Sequence, residues 1–537
     1  MDDHRGRTGD RSSETPSESP EQRSAGGSAN AQVSARRRLQ HAVRAHLGID
    51  RRALAAFRIA LGLILLADLG LRARNLTTFY TDAGVLPRAA LAEAAPLAAR
   101  FSLHALSGAA WAVELLFLVA AVAAVALAVG YRTRLAVAVS LLLLASLQAR
   151  NPFVLNAGDT LLWQLLGVGL LCPLGARWSV DAVRRRRSVG EPTRVAHEDN
   201  DHNDRFFGPA SALLLAVTVI VYVANAVEKF RGTVWIEGTA VEQVFRLTYL
   251  HGPLGGYLPE MPALLATATY GWLALLVASP LLVASAGRVR AALAGTLIAA
   301  HLSMALTLQI GVFPLISAAA LLPVFPPFVW DRIEQAAGPT SDRLRRSIEG
   351  SLDRSESDVS GGRTPKSGAE FPDRPTGERA VAVVAAVLLV SLLAWNGMAL
   401  GLVDAPEPVA ATVDPTEYGW NMFAPNPPTT DALFLATVTT ADGDRIDALY
   451  GDPVAADRPP SDARAYPTAR WRKYLTLLAG DESPTRVDAL LANLCDRPAG
   501  STVDDAASVS VSMVEIDVSE GGETQIRELG TRECQSG

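Results

Sequence analysis

The stretch VYVANAVEKFRGTVWIEG, residues 221–238, places an apolar helix directly before a Glu-Lys pair and a Trp-Ile-Glu-Gly turn. Much of the chain on either side is apolar enough to cross a bilayer, so Lys229 at this junction requires an explanation. An ammonium at the membrane edge reaches water at little cost, whereas one that faces the interior of a helix bundle is desolvated and becomes a usable base. The function depends on which environment Lys229 occupies.

The composition indicates a polytopic membrane protein. Hydrophobic residues make up 49% of the 537 residues, the mean hydropathy is +0.19, and the apolar residues cluster in blocks. Most of these blocks approach roughly 17–25 residues, the length that crosses a bilayer core. The third and fourth are shorter and would tilt or be partly re-entrant. The sequence predicts an all-α bundle of about nine spans, at residues 54–71, 109–128, 135–147, 160–174, 209–227, 263–286, 291–308, 312–328 and 380–402.

The distribution of basic residues predicts how these spans are oriented in the cell membrane. If the N-terminus is cytoplasmic, the inside segments hold 30 of the 49 Lys and Arg residues, whereas the outside loops between spans hold 8. These inside segments are 1–52, 131–134, 175–208, 287–290 and 330–379. The sequence therefore predicts a multi-pass protein with a cytoplasmic N-terminus and an extracytoplasmic C-terminus.

The predicted domains follow from changes in composition. Residues 1–50 and 331–379 are rich in Ser, Pro, Gly and charge, and would bury too little apolar surface to offset chain entropy. We expect a disordered cytoplasmic N-terminal segment and a disordered cytoplasmic linker there. Residues 51–330 would form a transmembrane domain of eight spans, and residues 380–402 the ninth span.

The tail, residues 403–537, is predicted to be a small extracytoplasmic α+β domain. From Asp404 onward it holds 23 acidic and 10 basic residues, an acidity that suits a solvated domain. Residues 433–439 and 508–518 alternate as strands do, Asp-Gly at 442–443 indicates a hairpin, and residues 470–479 have a helical pattern. Cys495 and Cys534 could form a disulfide only if this tail is outside the cytoplasm.

Several function classes have no support. The sequence contains no phosphate-binding glycine motif, no zinc-type Cys/His spacing and no nucleophile elbow, so no metal site is predicted. The basic residues lie where membrane insertion alone would place them, so no nucleic-acid partner is expected. The expected partner is membrane lipid.

Three residues are candidates for catalysis. Lys229 is either an interfacial anchor or a residue that faces the bundle interior. In the interior it would act as a general base or as the cation that binds an anionic head group. His301, inside the seventh span, either packs against a neighbouring helix or contacts a substrate. Asp159 either caps the fourth span or takes part in the chemistry.

A second set of residues would bind substrate or lipid, because they are polar, aromatic or turn-forming groups within or beside spans. Arg58 and Glu114 lie inside the first and second spans, too deep to be ordinary loop residues. The set consists of Asn156, Trp235, Gly238, Glu114, Arg58 and Gln309.

Six segments across residues 50–330 resemble the HTTM domain, the family of vitamin K-dependent gamma-carboxylase and its prokaryotic relatives. In order they are FRIALGLILLADL (57–69), YTDAGVLP (80–87), NAGD (156–159), RWSVDAVRRRR (177–187), Lys229 with the Trp-Ile-Glu-Gly turn, and HLSMALTLQIGVF (301–313). The tail segment WNMFAP (420–425) is similar to a motif that follows the last helix in prokaryotic members.

The resemblance implies a chemistry. In the carboxylase, a lysine at the corresponding position deprotonates a reduced quinone, oxygen converts the quinone to its epoxide, and the strong base so formed prepares a protein glutamate for carboxylation. Lys229 matches that lysine, with a spacing to the Trp-x-x-Gly turn that is one residue longer. The resemblance thus implies a reduced quinone as co-substrate and a protein substrate on the outer face.

The chain departs from the carboxylase at two places. A histidine found in an Asn-His-Ser segment of the carboxylase is absent from Asn156–Asp159, and the large luminal region is replaced by the tail. Three hypotheses therefore remain: an outer-face quinol-dependent enzyme with Lys229, His301 and Asp159 in one cavity; a non-catalytic bundle that binds lipid or quinone in a cavity open to the bilayer; and a membrane scaffold with a partner-binding outer domain.

Overall fold

The computed structural model describes residues 38, 42–189, 204–338, 375–454, 466–481, 483–496, 506–519 and 522–534. Most of the predicted disordered segments, residues 1–50 and 331–379, lie outside these ranges. The architecture of the described part is a helical bundle with a small β-sheet region near the C-terminus.

Within the described ranges, nine main helices form the bundle, and each overlaps one of the predicted apolar blocks. Six are long and apolar enough to cross a membrane. A seventh span is present if Phe313–Val324 and Pro327–Gly338, bent by 105° at their junction, are counted as one. The helices are α1 (Arg51–Ala73), α2 (Ala110–Val129), α3 (Thr133–Arg150), α4 (Ala157–Leu171), α5 (Pro209–Lys229), α6 (Pro262–Ala278), α7 (Gly287–Thr307), α8 (Phe313–Leu321) and α9 (Pro375–Ala399).

The described helices therefore give six or seven candidate spans where the sequence predicts nine. The difference lies in α4 and α6, which are apolar but shorter than 18 residues, and in α8, which ends at Leu321 and is followed by a 3-10 segment that contains Pro323. Proline removes a backbone donor and ends the regular helix. These three elements are the shortened and bent parts of the bundle.

Shorter helices and turns connect the spans. The α-helical segments are Leu76–Tyr80, Arg88–Ala94, Pro96–Phe101, Val180–Val189, Thr233–Ile236, Ala240–Arg246, Leu281–Ala284 and Glu407–Ala410. The 3-10 segments are Leu103–Ala105, Pro152–Val154, Thr248–Leu250, Gly255–Tyr257, Leu322–Val324 and Pro415–Tyr418. Two short strands, β1 (Ile49–Asp50) and β2 (Arg205–Phe206), pair antiparallel before α1 and α5.

The segments that the sequence predicts to be cytoplasmic lie together at one end of the bundle. At the first end, which we call the basic end, Asp181 accepts hydrogen bonds from Arg132 and Thr133 at the start of α3. Arg52 forms an ion pair with Asp331 there. The opposite end, where α1, α3, α5, α7 and α9 finish, carries the C-terminal residues and is called the domain end.

The C-terminal residues form the predicted α+β fold. Strands β3 (Thr430–Thr440), β4 (Arg445–Asp447), β5 (Ala506–Asp517) and β6 (Thr524–Glu533) form an antiparallel sheet in the order β4-β3-β5-β6. The predicted Asp-Gly hairpin joins β3 to β4, with Gly443 at φ +89°, a conformation that favours glycine. Helices α10 (Ala469–Asp481) and α11 (Pro484–Asp496) complete the fold, and a disulfide joins Cys495 to Cys534.

The sheet region and the domain end of the bundle share one hydrophobic core. Phe79, Tyr80, Phe117 and Val154 of the bundle pack in the same cluster as Phe434, Trp471, Tyr474 and Val509 of the C-terminal residues. The Tyr474 hydroxyl also donates to the Val85 carbonyl at 3.0 Å. Because this core is continuous, the C-terminal fold is a fixed part of the domain end.

Helices α1 and α2 cross at Gly62. A Cβ placed on Gly62 would lie 2.7 Å from the Ala128 Cβ and 2.8 Å from the Ala124 carbonyl oxygen. These distances are too short for any side chain, so the close approach of the two helices requires glycine. Gly70, two turns later on α1, has no atom within 4 Å of the same position.

We expect Gly62→Ala to lower the thermal unfolding midpoint in detergent, because the added methyl group forces α1 away from α2. Overpacking of this kind typically costs about 1–3 kcal/mol. Gly70→Ala is the matched control on the same helix and should not destabilise the protein. Equal midpoints for the two variants would contradict the close crossing.

Candidate functional site

One face of α5 presents three polar side chains to the bundle. Tyr222, Asn225 and Lys229 are spaced three and four residues apart, which places them on the same side of a helix. All three are buried, and Lys229 has a relative exposure of 1%. This burial excludes the interpretation of Lys229 as an exposed interfacial anchor.

The partners of Lys229 are backbone carbonyls of the segment Trp420–Pro425. Its Nζ donates to the Met422 oxygen at 2.7 Å and to the Phe423 oxygen at 3.3 Å, and lies 3.7 Å from the centre of the Trp235 ring. Within the described residues no carboxylate forms an ion pair with Lys229. The adjacent carboxylate, that of Glu228, pairs with Arg231 at 2.7 Å. Lys229 is therefore held by neutral groups.

The Trp420–Pro425 segment is itself fixed to the bundle by side chains around Lys229. Asn225 Nδ2 donates to the Trp420 and Met422 oxygens at 3.2 and 3.3 Å, and Trp235 Nε1 donates to the Phe423 oxygen at 2.8 Å. The side chains of Asn225, Trp235 and Lys229 thus all donate to this one turn of backbone, and the turn sets the position of the Lys229 amine.

His301 on α7 is the second polar group. Its Nε2 lies 3.0 Å from the Tyr222 hydroxyl, and its ring packs edge-on against Trp272 and Phe313. Its Nδ1 is buried and has no hydrogen-bond partner in the part of the chain that the structure describes. One ring nitrogen is therefore oriented by Tyr222 while the other remains available.

Lys229 and His301 line the same cavity, which has a volume of about 700 Å³. This is within the usual size range of small-molecule sites, roughly 300–1,000 Å³. Most of the wall is apolar, with Trp235, Phe245, Leu265, Trp272, Leu276, Met304, Phe313 and Phe423 among its residues. Because Tyr222 precedes Lys229 by seven residues, the polar groups extend about 10 Å along α5 from the domain end.

The cavity opens on the flank of the bundle between α6 and α7. Ala268 and Gly271 of α6 and Ser303 of α7 both line the cavity and are exposed. These side chains are small, so they leave a gap where larger residues would close the helix pair. The exposed residues of the cavity lining thus lie on α6 and α7.

Asp159 lies outside this cavity, in a buried ion cluster at the domain end. Its carboxylate accepts from Arg72 at 2.5 Å and from Arg470 at 2.6 and 2.9 Å, and it also completes a capping box with Asn156 at the start of α4. Asp68 pairs with Arg72 at 2.6 Å and with Arg470 at 2.9 Å. The structure therefore separates Asp159 from Lys229 and His301 and gives it ionic and capping contacts.

The ion cluster joins three of the segments that resemble the HTTM domain. Asp68 belongs to FRIALGLILLADL, Asp159 to NAGD, and the YTDAGVLP tyrosine, Tyr80, accepts a hydrogen bond from Arg72 at 2.9 Å. Arg470 comes from α10 of the C-terminal fold. Burial and the charge of Arg72 lower the pKa of Arg470, whereas the carboxylates of Asp159 and Asp68 raise it. The carboxylates have the larger combined effect, so the pKa of Arg470 is raised.

The remaining predicted residues divide between the cavity and other environments. Asn156 and Trp235 line the cavity. Gln309 lies beside it and donates to the Tyr466 oxygen at 3.3 Å. Gly238 is in a turn at φ +84° against Tyr270, and Glu114 is exposed on α2.

Arg58 lies at the basic end of the bundle and is not among the residues that line the cavity. Its guanidinium donates to the carbonyls of Trp178 at 2.6 Å, of Leu174 and Arg177 at 3.2 Å, and of Ala128 at 3.3 Å. The WSVD segment that begins at Trp178 is thus held in place by Arg58. Arg58 takes the role of a packing residue instead of a ligand for substrate.

Sequence reasoning missed several residues of the cavity. Tyr222 and Asn225 were detectable, because they precede Lys229 by seven and four residues on one helical face. Met422, Phe423 and Arg472 were not, because only tertiary folding brings the C-terminal residues to α5.

A model of the HTTM domain matches residues 47–330, more than half of the chain. The chain belongs to the HTTM domain family. Neither the curated proteins nor the solved structures include a match to this chain. The matched region contains α1–α8, so it carries Lys229 and His301, whereas Met422, Phe423 and Arg472, which complete the cavity lining, lie beyond it.

Replacing Arg470 tests the ion cluster. Arg470→Met would leave Asp68 and Asp159 buried with Arg72 as their one remaining cation, and breaking a buried pair in this way typically costs about 3–5 kcal/mol. We expect a clear loss of thermal stability in detergent. Arg532→Met, which removes the exposed pair with Asp488, should change the free energy of unfolding by less than about 1 kcal/mol. Similar effects of both changes would rule out a stabilising role for the cluster.

Proposed function

We propose that this HTTM-family membrane protein binds a lipid-soluble molecule in the Lys229 cavity and that Lys229 acts as a base on its polar head. The observation that carries the proposal is the shared cavity of Lys229 and His301, whose wall is mostly apolar and which reaches exposed residues of α6 and α7. A reduced quinone, which the family resemblance suggests, combines an apolar body with acidic hydroxyl groups and fits this lining.

The contacts of Lys229 are compatible with proton transfer. An uncharged amine has two N–H groups, which match the two carbonyls of Met422 and Phe423, and its lone pair remains free to take a proton. General-base catalysis requires a base within hydrogen-bond reach of the proton it removes. A quinol hydroxyl in the cavity would meet this requirement.

The proposed reaction balances with oxygen as the oxidant. One quinol and one O₂ give one quinone epoxide and one water, and both quinol hydrogens end in the water. Lys229 removes the first proton, and the Tyr222–His301 pair, 3.0 Å apart, supplies a second hydrogen-bonding position deeper in the cavity. Asp159 has no part in this scheme, because its carboxylate is occupied by two arginines.

The alternative is a bundle that binds a lipid or quinone without reaction. The apolar wall and lateral opening favour binding in either case, so only turnover separates the two functions. A scaffold that recruits a protein partner through the C-terminal fold is less well supported, because this fold supplies part of the cavity wall.

Epoxide formation tests the catalytic role. Full-length protein in nanodiscs would be given a reduced naphthoquinone, oxygen and bicarbonate, and both epoxide formation and quinol binding would be measured. We expect Lys229→Met and Lys229→Arg each to lower epoxide formation by about 10²-fold or more, the usual range for a general base. Lys229→Arg keeps donors for the two carbonyls but does not deprotonate, so it should retain binding.

Glu228→Gln is the matched control, because Glu228 is the neighbouring ionisable residue and contacts Arg231 instead of the cavity. It should leave epoxide formation unchanged. Wild-type protein that binds quinol without forming epoxide would support the non-catalytic alternative. Wild-type protein that binds no quinol would exclude quinone as the ligand.

We also propose that the domain end lies outside the cytoplasm. The arginine distribution supports this orientation, and a disulfide such as Cys495–Cys534 is typical of oxidising compartments. A protein substrate on the outer face would then meet the domain end.

Cysteine labelling in intact cells tests the orientation. Thr412 and Ser188 are exposed and lie near opposite ends of the bundle, whereas the native Cys172 is buried. A membrane-impermeant maleimide should label Thr412→Cys in intact cells and Ser188→Cys only after lysis. The reverse pattern would invert the proposed orientation.

A further inference from the structure

Arg472 is a cation of the cavity wall that forms no ion pair with a carboxylate of the described residues. It lies on α10, lines the cavity, and its Nε is buried without a hydrogen bond. Over the described ranges, its guanidinium makes neither a hydrogen bond nor an ion pair, and its closest characterised contact is the Tyr249 ring, 5.7 Å from Cζ. The side chain is half-buried, and a charge that is partly removed from water is stabilised by an anionic partner.

Lys229 and Arg470, two other cations at the domain end, differ from Arg472 in this respect. Lys229 donates to two carbonyls, and Arg470 bridges two carboxylates. Burial lowers the pKa of Arg472, and the Tyr249 and Tyr466 phenols act in the opposite direction. An arginine stays protonated despite such effects on its pKa, so the guanidinium remains a cation whose N–H groups can donate to an anionic ligand.

Asn156 adds a second available donor to the same wall. Its Oδ1 accepts from the Gly158 N–H at 2.8 Å, whereas its Nδ2 donates to no described residue. The start of α10 is close by, because a Cβ on Gly311 would lie 3.8 Å from Asn156 Nδ2 and 3.9 Å from the Ala469 Cβ. No Asp or Glu occurs among the described residues that line the cavity.

We propose that Arg472 and Asn156 bind the anionic head group of an amphiphile, a carboxylate or a phosphate, whose hydrocarbon tail lies in the apolar part of the cavity. The inference rests on the ligand cavity of the proposed function and adds a second class of molecule, besides the reduced quinone, that the cavity takes. Planar guanidinium donors match the oxygens of both head groups.

The surroundings of Arg472 favour an amphiphile over a small free anion. Most of the remaining wall is apolar, with Leu276 and Met304 among its residues, and such a surface suits a hydrocarbon tail better than a hydrated ion. The gap between α6 and α7 gives a tail access from the side. The head group would thus lie at the domain end and the tail toward the middle of the bundle.

Photolabelling with a matched pair of probes tests this inference. The full chain in phosphatidylcholine nanodiscs would be labelled with a diazirine-bearing C16 fatty acid and with the C16 alcohol of the same chain. A charge-assisted hydrogen bond is worth on the order of a tenfold change in affinity. We expect half-maximal labelling of cavity peptides by the acid at a concentration about tenfold lower than by the alcohol.

The Arg472 variants assign this preference to the guanidinium. Arg472→Gln should bring the acid to within about twofold of the alcohol, and Lys473→Gln, the neighbouring cation that does not line the cavity, should leave the preference intact. An unchanged preference in Arg472→Gln would overturn the inference. If that variant fails to fold, Arg472→Lys, which keeps the charge but loses the planar fork, should weaken the preference, and an unchanged preference there would overturn the inference.

The remaining outcomes separate this inference from the proposed function. Equal labelling of wild type by acid and alcohol would overturn the anionic head group and leave the ligand cavity standing. Labelling by neither probe would overturn both. Displacement of the acid probe by acetate or inorganic phosphate at equal concentration would show that the site takes a small free anion, and would overturn the amphiphile.

Discussion

The buried cluster of Asp68, Arg72, Asp159 and Arg470 is the interaction on which the domain end depends. Its charges come from α1, α4 and α10, so it joins the first and fourth apolar helices to the C-terminal fold. Each carboxylate contacts both arginines, which compensates charges that would be costly alone at this depth. With α10 fixed in this way, the chain brings its C-terminal residues to the cavity.

The cavity combines parts from inside and outside the region that the HTTM domain matches. Helices α4–α8, within the region matched by the HTTM domain, supply Lys229, His301 and the apolar wall. The backbone at Met422 and Phe423 and the side chain of Arg472 come from beyond that region. The C-terminal residues therefore complete a cavity whose other walls lie within the matched region.

Lys229 shows why neutral partners matter at such a site. A carboxylate beside the amine would form a stable ion pair and hold it as a cation, whereas two carbonyls satisfy the N–H groups without adding a negative charge. The same reasoning explains why Asp159 is unsuited to assist. Its two arginine partners keep the carboxylate ionised and occupied, which suits a structural role and leaves little capacity for proton transfer.

The sequence by itself determined the positions of the apolar helices, the α+β tail with its Asp-Gly hairpin, the family resemblance and the candidacy of Lys229 and His301. These follow from local properties: apolar length, strand alternation, turn chemistry and the rarity of charge within a span. Sequence reasoning grouped Asp159 with the base and left Met422, Phe423, Arg470 and Arg472 out. Only the tertiary structure decided these assignments, because residues separated by hundreds of positions meet through packing and ion pairing that no local pattern records.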